Sequence, residues 1–473
     1  MEHINHCSCL KLPMRQVLTK RKELILVLSI LVVGLFLRVY KLPERTVFNA
    51  DQEWMSYRVS DVFSGDLAII GPVASVGNFS IGPGFIYLWT LFGMISGNAP
   101  IAGAYLSVFL GILTLLGIYL FIRYFIDKAV AIFMLFITSI SSFLIFWDYI
   151  PWTPSLFYLS QILFLTGAYL ITKKQFGYFL LSLGLVIGFQ SHIGIFLSFI
   201  SILPYFIFIW PVKPRLKTMV ISVSILFLGF LPNIIFDITH GFVNLNRLLL
   251  TFRGDGADYY VGINKLIDVL ASNSISLFYP KKVTVFDSIL ARIGLALVLS
   301  NGFRMLRNSK YKSLSLLLLF TVLFPALFFY VWQGKFSEYY LMMTVPSLIF
   351  LISLLFLNLK KNSLIVISVL LISSVFNYLN LKNYKVPFNL KAKENVARFM
   401  VEKAGTNDYG ISLTTRYGEQ FGFNYIFDYY GINADLPPKP GENKIFSIII
   451  PEGFDGITGD KDFDGIGLIW QGI

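Results

Sequence analysis

The sequence predicts an all-α polytopic membrane protein with a small mixed α/β region at its C-terminal end. Three observations predict it. Of the 473 residues, 56% are hydrophobic and 14% charged, at a mean hydropathy of +0.69; a soluble chain of this length could not bury that much apolar surface. The apolar residues come in runs close to the ~20 residues that a helix needs to cross a bilayer. The basic residues, which give a net charge of +12, fall in short clusters between those runs. Such clusters mark cytoplasmic junctions of membrane proteins, so nucleic acid is not the partner that the charge implies.

Residues 1–23 form a cytoplasmic N-terminus with the chain's two cysteines, Cys7 and Cys9. A lone pair supplies too few ligands for a metal, and no disulfide framework can form outside the membrane. The run Leu24–Tyr40 follows Lys20-Arg21-Lys22 and lacks a nearby small-residue cleavage site, so it reads as an uncleaved signal-anchor. Further spans are expected at 101–123, 129–147, 154–172, 176–191, 193–210, 216–236, 287–303, 313–332, 338–358 and 362–380, about eleven crossings in all. The apolar stretch 81–97 opens on Gly82-Pro83-Gly84 and is short. If it crossed, every later basic cluster would lie outside. If it lies on the outer surface, then Arg123/Lys128, Lys173/Lys174, Lys213/Arg215/Lys217, Arg304/Arg307/Lys310/Lys312 and Lys360/Lys361 all face the cytoplasm. The transmembrane domain then covers 24–380, and the C-terminus lies outside a plasma membrane.

This topology leaves three outer regions: 41–100 with its surface helices, 237–286, and a C-terminal domain at 381–473. Within the last, Ile411–Thr415, Tyr425–Tyr430 and Lys444–Pro451 read as short strands. Asp460-Lys461-Asp462-Phe463-Asp464-Gly465 resembles the start of a calcium loop, but Gln471 stands where the bidentate Glu belongs. It reads as an acidic turn.

The spans hold almost no ionisable groups, whereas transporters and pumps place such groups near the bilayer centre. Polar residues gather instead at outer helix ends: Arg38, Asp148, Gln190, His192, Asp237, His240, Lys335 and Glu338. Close to a membrane exit stands Asn49-Ala50-Asp51-Gln52-Glu53-Trp54. A carboxylate here can take the proton of a weak hydroxyl nucleophile, or hold a divalent metal that neutralises a departing phosphate. A solvated loop would carry the same residue types.

The pattern resembles the GT-C glycosyltransferases, specifically the polyprenyl-phosphate-sugar-dependent family 39 that includes protein O-mannosyltransferases and aminoarabinose transferases. Three stretches carry the resemblance over roughly residues 20–360: Leu37-Arg38-Val39-Tyr40-Lys41-Leu42 with Asp51 beyond it, Gly82-Pro83-Gly84-Phe85-Ile86-Tyr87, and Trp147-Asp148-Tyr149-Ile150-Pro151-Trp152-Thr153-Pro154-Ser155-Leu156. The resemblance implies an inverting membrane glycosyltransferase. It would move a monosaccharide from a polyprenyl-phosphate donor to a glycan, lipid or protein acceptor at the outer face. It assigns Asp51 and Asp148 as catalytic residues and as candidate ligands of a divalent metal ion. Glu53, His192, Asp237 and Glu338 are candidate supporting residues. Where relatives often have Asp-Glu, this chain has Asp51-Gln52, with Glu53 one place on. The donor phosphate needs cations, and Lys335, Arg58 and His240 are the foremost candidates, with Arg247, Arg253 and Lys281 also on the outer side. A transporter or flippase of lipid-linked glycans would need ionisable residues at mid-membrane and internal symmetry; Arg292 alone lies inside a span. A polymerase or ligase would lean on Arg247 and Arg253 rather than Asp51.

Overall fold

The computed structural model describes residues 20–472 except 75–76, 254–260, 281–284 and 333–335. Cys7, Cys9, Lys281, Lys335 and the side chain of Arg253 lie outside the described residues.

Every apolar run is helical. Helix α1 (Lys20–Val39) leads through α2 (Leu42–Arg45) to α3 (Ala50–Phe63) and α4 (Gly84–Ser96). Then come α5 (Ala102–Phe125), α6 (Lys128–Ile140), α7 (Ser142–Asp148), α8 (Phe157–Leu170), α9 (Phe176–Phe189), α10 (Gly194–Phe208) and α11 (Leu216–Thr239). The 237–286 region supplies α12 (Val243–Arg253) and α13 (Ile263–Ile275); α14 (Val285–Met305), α15 (Lys312–Val331), α16 (Val345–Leu359) and α17 (Ser363–Asn383) complete the bundle. Among the described residues, α5, α11, α14, α15, α17 and the stretch Glu338–Leu359 are each long and apolar enough to cross a membrane. A seventh such unit is α6 with α7, bent by 59°. Helices α9 and α10 are apolar but shorter.

The expected surface helix is α4. It is an apolar helix of 13 residues, of the same class of length as α9 and α10. It buries Phe85, Ile86 and Trp89 and exposes Leu91, Met94 and Ile95.

The break between α6 and α7 falls inside a run that reads as one continuous span. A break inside an apolar layer frees backbone groups that lipid cannot satisfy. Asn377 of α17 meets that need: its Oδ1 accepts from Ser142 N at 2.8 Å and from Ser142 Oγ at 2.9 Å, and its Nδ2 donates to Ser373 O at 2.9 Å. Elsewhere small residues bring helices together, as membrane packing favours. A Cβ at Gly167 of α8 would sit 2.3 Å from Leu181 N of α9.

The two ends of the bundle differ. At one end Glu23 pairs with Arg123 and Lys128, Lys360 pairs with Asp127, and Tyr311 donates to Ile126 O. The basic junctions therefore meet there. At the other end lie α2 to α4, His192, Asp237 and Glu338.

The C-terminal region is a small α/β unit: α18 (Leu390–Ala404), β1 (Gly410–Thr415), α19 (Asn424–Tyr429), β2 (Ile445–Ile450), β3 (Lys461–Asp462) and β4 (Gly467–Gln471). The sheet order is β1-β2-β4-β3, with β1 parallel to β2 and the other pairs antiparallel. Two of the expected strands are present. The third, Tyr425–Tyr430, is helical instead. Its aromatic content suits a strand, but Tyr425, Ile426 and Phe427 are buried in succession, which a strand with one buried face cannot do. The acidic stretch is a hairpin turn: Asp462 Oδ1 accepts from Gly465 N at 2.8 Å and Asp464 Oδ2 accepts from Asn389 Nδ2 at 2.9 Å.

Candidate functional site

The site starts from the cap of α3. The side chain of Gln52 accepts from Asn49 N at 2.9 Å within a capping box, a device that satisfies the first amides of a helix. Gln52 is buried and also donates to Pro151 O at 3.0 Å. The residue after Asp51 is therefore structural, and it ties the helix start to the Trp152-Thr153-Pro154 stretch. Carboxylates in the first turn are favoured by the helix dipole, and Asp51 and Glu53 occupy that turn.

Asp51 opens into a cavity of about 630 Å³. Its walls are α3 (Asp51, Glu53, Trp54, Tyr57), Trp152 to Pro154, His192, Tyr339 with Tyr340, and Phe421 from the C-terminal unit. Segments far apart in sequence thus converge on one space. Asp51's side chain faces the cavity, yet the apolar walls strip enough water from it to push its pKa above the usual aspartate value. His192 packs against Phe157, Tyr339 and Tyr340 at ring distances of 5.4, 5.7 and 5.8 Å. Its Nδ1 accepts from Gly194 N at 3.0 Å. Burial drives its pKa down to about 4, so the ring is neutral at ordinary pH and serves as an apolar wall with one hydrogen-bonding nitrogen. Trp147 stacks on Trp152 at 5.7 Å.

Glu53 faces the tail. Its Oε1 accepts from Tyr425 N at 3.2 Å, and beside it Lys393 of α18 donates to Phe48 O at 2.8 Å and to Phe421 O. Lys393 is fully buried, and that burial pulls its pKa down to about 7 although the Glu53 charge opposes the shift. The C-terminal unit is therefore docked on the segment that positions Asp51 and closes one side of the cavity. Sequence reasoning missed Lys393, although a signal was present: it sits on the stripe of Val396, Ala397 and Met400 that forms the buried face of α18.

Asp148 lies elsewhere. Its Oδ2 sits 2.6 Å from Arg38 Nε, with both side chains buried. Arg38 also donates to Gly34 O and Ser139 O, at 3.0 Å each. The pair is a structural tie between α1, α6 and α7, and Asp148 is not a wall of the Asp51 cavity. Gly111 leaves room for it; a Cβ there would lie 2.5 Å from the carboxylate. Asp237 caps α12 by accepting from Asn244 N at 2.8 Å and Leu245 N at 3.1 Å. Glu338 is exposed and 3.9 Å from Lys265. Arg58 is held by Asp61 at 2.6 Å. His240 is exposed, stacked on Phe236 at 4.1 Å. Among the described residues, no lysine or arginine lines the cavity, and no group of three or more His, Cys, Asp or Glu could hold a metal ion. Asp51 and Asp148 in particular do not share a site.

No family model matches the chain, and no curated protein does. Solved structures do. Residue identity to ArnT from Cupriavidus metallidurans bound to undecaprenyl phosphate is 9%, over 96% of this chain and 98% of that one, at a TM-score of 0.61. The apo state of the same protein gives 9% identity, coverage of 94% and 97%, and a TM-score of 0.60. From end to end, the chain has the polytopic membrane fold of ArnT.

Proposed function

We propose that this protein is a membrane glycosyltransferase that moves a monosaccharide from a polyprenyl-phosphate donor to an acceptor at the outer face of the membrane. The observation that carries the reading is Asp51, a carboxylate of raised proton affinity open to a roofed cavity at one end of an ArnT-like bundle. ArnT itself was solved with undecaprenyl phosphate, the lipid that such a donor leaves behind.

In this reading the sugar sits between the aromatic walls Trp152, Tyr339 and Tyr340. The acceptor hydroxyl approaches Asp51, which removes its proton as the oxygen attacks the anomeric carbon. The bond to the lipid phosphate breaks on the opposite side, so the anomeric centre inverts. Phosphate leaves as an anion and needs charge neutralisation more than protonation. Water exclusion falls to the apolar walls and to the tail, whose Phe421 closes the cavity. Lys335, outside the described residues, is the cation proposed for the donor phosphate, since its chain neighbours Tyr339 and Tyr340 are cavity walls. The end bearing the basic junctions faces the cytoplasm, so the N-terminus lies inside, the C-terminus outside, and about eleven helices cross the bilayer.

The test uses the full chain in proteoliposomes with radiolabelled polyprenyl-phosphate sugars. Label is expected to leave the lipid phosphate and appear in a glycosylated acceptor. Label that crosses the bilayer still attached to its lipid would replace this reading with a flippase.

A further inference from the structure

A second cavity, of about 790 Å³, opens on another face at the same end of the bundle as Asp51. None of its lining residues is shared with the Asp51 cavity. Its floor is aromatic and exposed: Phe36 and Tyr40 at the end of α1 are 58% and 47% exposed, and Tyr378 of α17 is 63% exposed, as side chains turned to a bilayer would be. Its upper rim is basic, carrying Lys41, Arg45, Lys382 and Lys385.

These cations differ in how they are held. Arg45 is 8% exposed. It donates to Tyr149 Oη at 2.9 Å and to Leu381 O at 3.0 Å, which fixes its guanidinium at the cavity wall. Lys41 shares Glu44 with Lys391. Lys382 and Lys385 are exposed, and neither has an ion-pair or hydrogen-bond partner among the described residues. The rim's carboxylates are engaged: Glu44 by two lysines, and Asp464 by Asn389.

Arg45 and Lys41 have protein partners, which leaves Lys382 and Lys385 as the rim cations open to a ligand. Unpartnered lysines above exposed aromatic rings match a phosphate at headgroup depth with its tails in the bilayer. The lining comes from α1 and α2 on one side, and from α17, the link to α18 and the Asp464 turn on the other. A headgroup there would bridge the bundle and the C-terminal unit.

We propose that this cavity binds the phosphate headgroup of an anionic glycerophospholipid of the bilayer, a site separate from the one that handles the donor. The separate lining argues for a resident lipid and against a donor awaiting transfer. The outer placement rests on the orientation given under the proposed function; the site itself does not depend on glycosyl transfer.

The experiment is native mass spectrometry of the full chain, stripped of lipid in detergent. Phosphatidylglycerol and phosphatidylcholine are added at equal concentration, with no sugar donor present. Wild type is expected to retain phosphatidylglycerol over phosphatidylcholine by up to roughly thirtyfold, the scale of two basic residues at about 1 kcal/mol each on an anionic surface. In the Lys382→Gln/Lys385→Gln double variant that preference is expected to vanish, with the lipid-free unfolding midpoint unchanged. Equal retention of both lipids by wild type, or an undiminished preference in the variant, overturns the proposal. Displacement of phosphatidylglycerol by inorganic phosphate alone would make the site one for soluble anions. Displacement by an equal amount of polyprenyl phosphate would assign it to the donor lipid instead. Glycosyl transfer measured on the same variant reports on the Asp51 reading independently.

Discussion

Replacing Asp148 alone should damage the fold before it damages the chemistry. Asp148 and Arg38 touch at 2.6 Å with side chains 9% and 1% exposed. Asp148→Leu leaves a buried guanidinium whose remaining partners are two carbonyls, Gly34 O and Ser139 O. Removing one member of a buried pair costs about 3–5 kcal/mol, whereas replacing both with apolar residues is often neutral. An unfolding entropy of about 2.1 cal/mol/K per residue, taken over 473 residues, is about 1 kcal/mol/K. The single change should then lower the unfolding midpoint by about 3–5 °C, and by more if the membrane helices persist and less entropy is released. Thermal scans in detergent, followed by intrinsic fluorescence at one fixed scan rate, measure this. The double variant Arg38→Met/Asp148→Leu should recover most of the loss, giving a large favourable coupling. An Asp148→Leu protein that unfolds like wild type yet turns over no donor would refute the reasoning and restore Asp148 to the chemistry.

Three further outcomes follow from the structure. His192 has a folded pKa near 4, below its ordinary 6.5, so the unfolded chain takes the proton first; stability should be complete above pH 6.5 and fall towards pH 4, by about 3 kcal/mol at most. His192→Phe should flatten that slope in acid-unfolding curves. Lys393 titrates near 7 when folded against 10.5 ordinarily, so the unfolded state holds the extra proton between those values and stability should rise with pH through that window. Lys393→Met should remove the rise, read from unfolding midpoints between pH 7 and 10. Gly82→Ala would put a Cβ 2.0 Å from Gln190 Oε1, which already accepts from Gly84 N while Gln190 Nε2 donates to Gly229 O. A cost of roughly 2 kcal/mol is expected, and adding Gly82→Ala to Gln190→Ala should cost little more, since the clash is gone.

Helix placement was legible because a bilayer imposes one rule on every span: satisfy the backbone internally and stay apolar. Each of the expected runs is helical, and 81–97, set apart by the charge argument, contains the short apolar helix α4. What the rule does not encode is pairing across the fold. Arg38 and Asp148 are separated by 110 residues, and nothing local in Phe146-Trp147-Asp148-Tyr149 distinguishes a buried ion-pair partner from a catalytic carboxylate. The bend at Ser141 was hidden for the same reason, since the group that stabilises it, Asn377, lies on another helix. Around Asp51 the sequence singled out stretches that converge in the fold: Asp51, Glu53, Trp54, Trp152 to Pro154 and His192 all line one cavity. It missed the contribution of the tail, because Phe421 and Lys393 reach the site only through a tertiary dock. Asp237, Glu338, Arg58 and His240 were chosen for their outer position alone; Asp237, Arg58 and His240 engage near neighbours in the chain, and Glu338 is exposed, 3.9 Å from Lys265.

If Asp51 takes the acceptor's proton during transfer from a lipid-phosphate sugar, transfer rate against pH for wild type and Asp51→Asn, both purified in detergent, will report it. Loss of the base predicts a rate about 10²- to 10⁴-fold lower in Asp51→Asn. The acid limb of the wild-type profile should lie above the ordinary aspartate range, because the apolar walls raise that pKa and the base is lost as pH falls through it. Transfer by Asp51→Asn within twofold of wild type, with the acid limb unchanged, would contradict a proton-accepting Asp51.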